Sequence, residues 1–155
     1  MGMAGDDVRV LNGIVKSKPY VHGVRLINDF QSPTAVAVRS FQRRSALAPT
    51  GVVNHHTAQV LTGSMKRVDA TWYGPGFYGN HTACGPILRL NTIGVANNFL
   101  PCGTKVTFAY HGRYLVVPVI DRGPYSPPYR FDLTRGAGKL LGFDYSDKIR
   151  FAVDR

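Results

Sequence analysis

From Ala70 onward the chain consists of short β-branched and aromatic runs, ATWYG, TIGVA, KVTFAYHGRYLVVPVID, YRFDL and KIRFAV, separated by Gly and Pro. That punctuation leaves little room for long helices, and runs of this length and composition are strand material. Tyr110-His111-Gly112-Arg113 predicts a hairpin turn between two long strands. Pro118 interrupts the second of them and predicts an edge or a bulge there, because proline cannot donate to a ladder. One short helix is expected near Arg135 to Leu141, ended by Gly142. A compact barrel with a single helix fits this pattern better than a sandwich.

Residues 1–66 read differently, as short helices. Asp6 or Asp7 is suited to cap a first helix with Val8, Leu11 and Val15 on one face, weakened by Gly13. A better helix is expected from Ser32 as N-cap and Pro33 at the first helical position, with Ala35, Val38 and Phe41 on its buried stripe. After the turn Ala48-Pro49-Thr50-Gly51, Asn54 caps a third helix whose Ala58 and Leu61 face inward, and Thr62-Gly63 stops it. SMKRVD, residues 64–69, is a polar connector, so the expected domains are 1–66 and 67–155.

A net charge of +10 favours a polyanionic partner, whether nucleic acid, anionic membrane or bacterial wall, and does not choose among them. No RNP, helix-turn-helix or zinc-finger pattern is present, which argues against nucleic acid. No stretch approaches the ~20 apolar residues of a membrane span, and the N-terminus lacks the apolar run of a signal peptide. All nine acids are Asp, so any carboxylate chemistry must use aspartate. Cys84 and Cys102 sit in similar settings, ACG and PCG, and read as a structural pair rather than a thiolate metal site; two free thiols are the other reading. His55-His56 points in two directions on a helix and lacks further ligands, so no metal is expected, and no motif calls for a cofactor.

Five segments in order, WYGPGFYGN (72–80), TACG (82–85), GVANNFLPCGTKV (94–106), VPVIDRGPY (117–125) and FDLTRGAGKLLGF (131–143), resemble the rare lipoprotein A family of lytic transglycosylases, which is related in fold to expansin and barwin domains. SPTAVAVRSFQRRSALAPTGVVNHHTAQVL (32–61) resembles the second half of a peptidoglycan-binding domain. The resemblance implies a mainly β fold with a small α module: a six-stranded double-psi β-barrel preceded by a three-helix peptidoglycan-binding-like domain. It implies peptidoglycan glycan strands as partner and an extracellular or cell-wall location, with a phage virion or lysis protein as the alternative. Oligomeric state is left open.

Such enzymes cut a glycosidic bond without water by forming a 1,6-anhydro sugar, so one group can serve as both acid and base. The family's candidate Glu maps to Pro86, and its candidate Asp maps to Asp121, which becomes the expected catalytic residue; a structural role bonding the Gly123-Pro124 turn is the rival. Asp132 matches a family position and is expected to orient, accepting backbone hydrogen bonds at a helix start. Arg122 is expected either to pair with Asp121 or to reach a substrate carboxylate. Tyr78, His81, Thr82 and Tyr125 complete the expected substrate-binding set, Trp72 and Phe77 are expected to pack, and Cys84 and Cys102 are expected to form a disulfide. A noncatalytic expansin-like wall binder is the competing function, favoured by Pro86 and the absence of Glu.

Overall fold

Tight turns and paired apolar faces decide the second half of the chain. In the computed structural model, which describes residues 6–25 and 29–153, the elements run α1 (Asp6–Lys16), α2 (Ser32–Arg44), α3 (His55–Gly63), β1 (Lys66–Tyr73), β2 (Val95–Ala96), β3 (Lys105–Tyr110), β4 (Arg113–Asp121), β5 (Phe131–Thr134), α4 (Arg135–Leu141) and β6 (Asp147–Val153). Among the described residues, those up to Met65, with Ala152 and Val153, form one compact unit, and Lys66–Phe151 form the other. The Asp6 side chain and Asp154 lie outside the described residues. Among those described, no helix is long and apolar enough to cross a membrane.

The strands close in the order β1-β5-β2-β4-β3-β6, the six-stranded double-psi barrel. β1 pairs parallel to β5 and β2 parallel to β4, while the remaining described pairs run antiparallel. The expected hairpin joins β3 to β4 through His111 (φ 45°) and Gly112 (φ 77°), two consecutive left-handed residues that match the twist of the strands. Pro118 lies just outside the β2–β4 ladder, which starts at Val119. The ladder then steps from Val95↔Val119 to Ala96↔Asp121, which leaves Ile120 as the extra residue of a bulge. Helix α4 is capped by Thr134, whose hydroxyl accepts from Ala137 N at 3.2 Å, and it ends at left-handed Gly142.

Fully buried Phe108, Phe131, Leu133, Leu141, Phe143 and Ile149 fill the barrel, with Phe131 edge-on to Phe108 (5.1 Å) and Phe151 (4.8 Å). Each such side chain contributes roughly 1.5–3 kcal/mol by leaving water.

The helical unit is tied by polar side chains as well as apolar ones. Asn54 caps α3 as expected, accepting from Thr57 N at 2.8 Å. The start of α2 differs by one residue: Gln31 occupies the cap position without a side-chain bond, and Ser32 is already helical. Its buried face is Thr34, Ala37, Val38, Phe41 and Gln42, so Ala35 lies off the stripe. The reason is polar: Thr34 Oγ1 donates to Asn12 Oδ1 of α1 at 2.8 Å. Gln42 likewise turns inward, donating to Val52 O (2.9 Å) and accepting from Gly51 N (2.9 Å). On α3 the buried positions are Thr57 and Leu61, with Ala58 only half-buried, and His55 and His56 are exposed.

Candidate functional site

Four strand segments deliver the site. Ala96 of β2 stands opposite Asp121 of β4 on one side and Asp132 of β5 on the other, while Thr71 of β1 stands opposite Asp132. The two aspartate backbones are therefore two strand spacings, roughly 10 Å, apart. Both acids line one groove of about 450 Å³, floored by Ala96 and walled by Tyr73, Phe77, Tyr125 and Tyr129. The bulge at Ile120 sits where β4 hands Asp121 to this groove, a common use of an inserted residue beside a site.

Three donors converge on Asp121. Oδ2 accepts from the Tyr73 hydroxyl at 3.0 Å, and Oδ1 accepts from Ala83 N at 2.8 Å and from Arg122 N at 2.9 Å. Both oxygens act as acceptors, the role of a carboxylate. Burial, then the charge of and hydrogen bond to Asp121, then the charge of Asp132, hold the Tyr73 hydroxyl well above the usual tyrosine range. Tyr73 is thus a fixed donor across the working pH range.

Asp132 is in a contrasting environment. Its Oδ1 is buried without a hydrogen-bond partner among the described residues. Burial, with the nearby charge of Asp121 second, pushes its carboxyl from 3.8 up to about 7. Asp132 does not cap the helix as the sequence suggested; Thr134 does, because it stands three residues before Ala137, at the reach of an N-cap hydroxyl. A carboxyl left out of the capping network near neutral pH is suited to give and take a proton.

Arg122 lines the groove, but its guanidinium does not pair with Asp121. Its Nη1 donates to Asn97 O and Leu100 O, both at 2.9 Å, and Nη2 to Cys102 Sγ at 3.3 Å, so the guanidinium clamps the 97–102 loop. Cys84 and Cys102 form the expected disulfide, with Cα atoms 5.6 Å apart. Cys84 N also donates to Ile120 O at 3.1 Å, so the bridge fixes the segment whose Ala83 amide reaches Asp121.

The remaining sequence candidates divide. Tyr125, 80% exposed, lines the groove. Tyr78, His81 and Thr82 are not among its lining residues. Tyr78 packs its ring on Gly74, where a Cβ would meet its hydroxyl at 2.3 Å. His81 Nδ1 donates to Gly85 O at 2.7 Å, and Thr82 donates to Pro86 O through both N (2.8 Å) and Oγ1 (2.9 Å). These bonds build the turn that carries the exposed Pro86, which is also absent from the groove lining. Phe77, expected to pack, is 56% exposed at the groove and edge-on to Tyr73 at 6.2 Å; Trp72 does pack against the barrel core.

A family model described as lytic transglycolase matches residues 65–152. The chain is similar to the probable endolytic peptidoglycan transglycosylase RlpA of Synechocystis sp., at 38% identity over 104 residues, 66% of this chain and 32% of that protein. It is similar to the endolytic peptidoglycan transglycosylase RlpA of Campylobacter jejuni, at 41% identity over 89 residues, 56% of this chain and 32% of that protein. The chain thus spans about a third of the length of these curated relatives. Among solved structures it is similar to the apo expansin of Clavibacter michiganensis, with a TM-score of 0.47 and 23% identity over 59% of this chain and 50% of that one.

Proposed function

The chain belongs to the lytic transglycolase family, and on that premise we propose that its barrel cleaves the glycan strands of peptidoglycan by lytic transglycosylation, acting outside the cell or at the wall. The carrying observation is the pair of aspartates in one groove, one with both oxygens accepting hydrogen bonds and one held up near neutral pH. Asp132 gives its proton to the glycosidic oxygen as the bond to C1 of the muramic sugar breaks. The sugar's own C6 hydroxyl then closes on C1, and Asp121 takes the proton that hydroxyl releases. No water is consumed, and the 1,6-anhydro ring accounts for every bond. This assigns to two aspartates the work that the sequence assigned to Asp121 alone.

The helical unit is proposed to hold the chain on the wall, supported by the likeness of residues 32–61 to a peptidoglycan-binding domain. A second reading, a noncatalytic wall binder, is favoured by Pro86 in place of the family's Glu. Mass spectrometry of material released from purified sacculi separates them. Anhydro-muropeptides support cleavage, and their absence from both intact and peptide-stripped glycan leaves the binder.

A further inference from the structure

The groove does not end at Tyr125. A second hollow of about 370 Å³ shares Pro124, Tyr125 and Tyr129 with it and extends to Phe99 and Arg130. Phe99 is 68% exposed, a large apolar ring on an open surface, and the Arg130 guanidinium lies 4.1 Å from its centroid. A planar cation stacked on a ring is held flat, with its donor edges turned outward.

One buried side chain sets both residues in place. Asn97, 1% exposed, accepts from Phe99 N at 2.9 Å and Leu100 N at 2.8 Å through Oδ1, and donates through Nδ2 to Arg130 O at 2.9 Å. Arg130 N is fixed in turn on Asp69 O at 2.8 Å. The backbone under the pair is therefore ordered before any ligand arrives, which lowers the entropy cost of binding. Whereas Arg122 spends its guanidinium on three acceptors of the 97–102 loop, Arg130 makes no ion pair among the described residues.

We propose that Phe99 and Arg130 form a subsite for a carboxylate-bearing sugar of the glycan strand, beyond the bond being cut. The proposal rests on the groove being a glycan site. Phe99 supplies apolar surface to a sugar ring, and the Arg130 fork pairs with the acid that ring carries. In peptidoglycan that acid has two sources, the lactyl group of a muramic sugar or a carboxylate of the peptide attached through it.

The test is calorimetric binding of the wild-type chain, Arg130→Gln and Phe99→Leu to three probes: a neutral chitin oligosaccharide, a peptide-free GlcNAc-MurNAc oligomer and a peptide-bearing strand. Arg130→Gln is expected to lose about tenfold in affinity, the value of one charge-assisted pair, for at least one acid-bearing strand while keeping wild-type affinity for the neutral probe. The strand that responds names the source of the acid. Phe99→Leu is expected to weaken all three. Equal losses of Arg130→Gln on neutral and acidic probes, or none on either acidic strand, overturn the subsite while leaving the groove reading intact. Failure of the wild-type chain to bind any probe overturns the groove reading, and the subsite with it.

Discussion

Tyr73 and Asp121 stand 48 residues apart in the chain, and the tyrosine hydroxyl donates to the aspartate at 3.0 Å. The bond spans from the end of β1 to the end of β4, so the carboxylate takes its orientation from a donor fixed on another strand. Tyr73→Phe removes only that donor. It is expected to lower kcat about tenfold with KM held within about twofold, because orientation rather than binding is lost. A rise in KM that accounts for the whole loss would assign the hydroxyl to substrate binding instead.

Asp132 makes activity and stability depend on pH in the same sense. In its proposed role of proton donor it must be protonated, so kcat is expected to fall as pH rises through about 7. Because its folded value stands above the unfolded 3.8, the native state holds the proton more tightly, and this contribution to stability is full below pH 3.8 and lost as pH rises through about 7. The shift sets a ceiling of ~4 kcal/mol, which partial solvent screening reduces to about 2. Asp132→Asn should therefore cut turnover by about 10²- to 10⁴-fold. The same variant should raise the urea midpoint at pH 8 and leave it nearly unchanged at pH 3.5. An equal midpoint shift at both pH values would show that the carboxyl is not titrating as described.

Removing the disulfide is expected to reach the site through Ala83. The double variant Cys84→Ser, Cys102→Ser opens a loop spanning 18 positions and should cost about 3 kcal/mol in the chain-entropy account. Activity should drop even at temperatures where the variant stays folded, since the amide donor to Asp121 sits one residue from the released Cys84. Reducing the wild-type chain should reproduce both effects, and a variant with wild-type turnover would separate the bridge from the site.

In the helical unit, Gln42→Ala strips partners from Val52 O and Gly51 N and is expected to cost about 2 kcal/mol. If this unit holds the chain on the wall, the variant should pellet less with sacculi when warmed while still cutting soluble glycan strands. Undiminished pelleting after the unit's own unfolding transition, followed by amide exchange, would move wall binding to the barrel.

The barrel was legible because its signals are local. Gly142 stops a helix by its own backbone, and His111-Gly112 turns a hairpin by two adjacent dihedrals. The place of Asp121 in the groove was legible through its motif, and the disulfide through the matched surroundings of its two cysteines. What escaped is non-local. Tyr73 looks like one more aromatic until β1 brings it to β4, and the raised carboxyl of Asp132 depends on what the closed barrel buries around it. One of the two partners that the sequence offered Arg122 was its neighbour Asp121, yet its long side chain is captured by carbonyls 22 and 25 positions away. On α2 an apolar periodicity misplaced the buried face because Thr34 and Gln42 are buried for their hydrogen bonds, which hydrophobic patterning does not register.

The interleaved strand order carries a kinetic consequence. Of the barrel's pairings, only β3 with β4 joins strands adjacent in sequence across a tight turn, whereas β1 must wait for β5 and for β6, synthesised far later. Such pairing closes long loops before it is rewarded, which places folding of this barrel among the slow, high-contact-order topologies. Tyr73, Asp121 and Asp132 belong to β1, β4 and β5, so no early hairpin holds them together. A nascent or half-folded chain therefore lacks the assembled groove, and the three side chains come together only in a late step, when the last strand closes the ring.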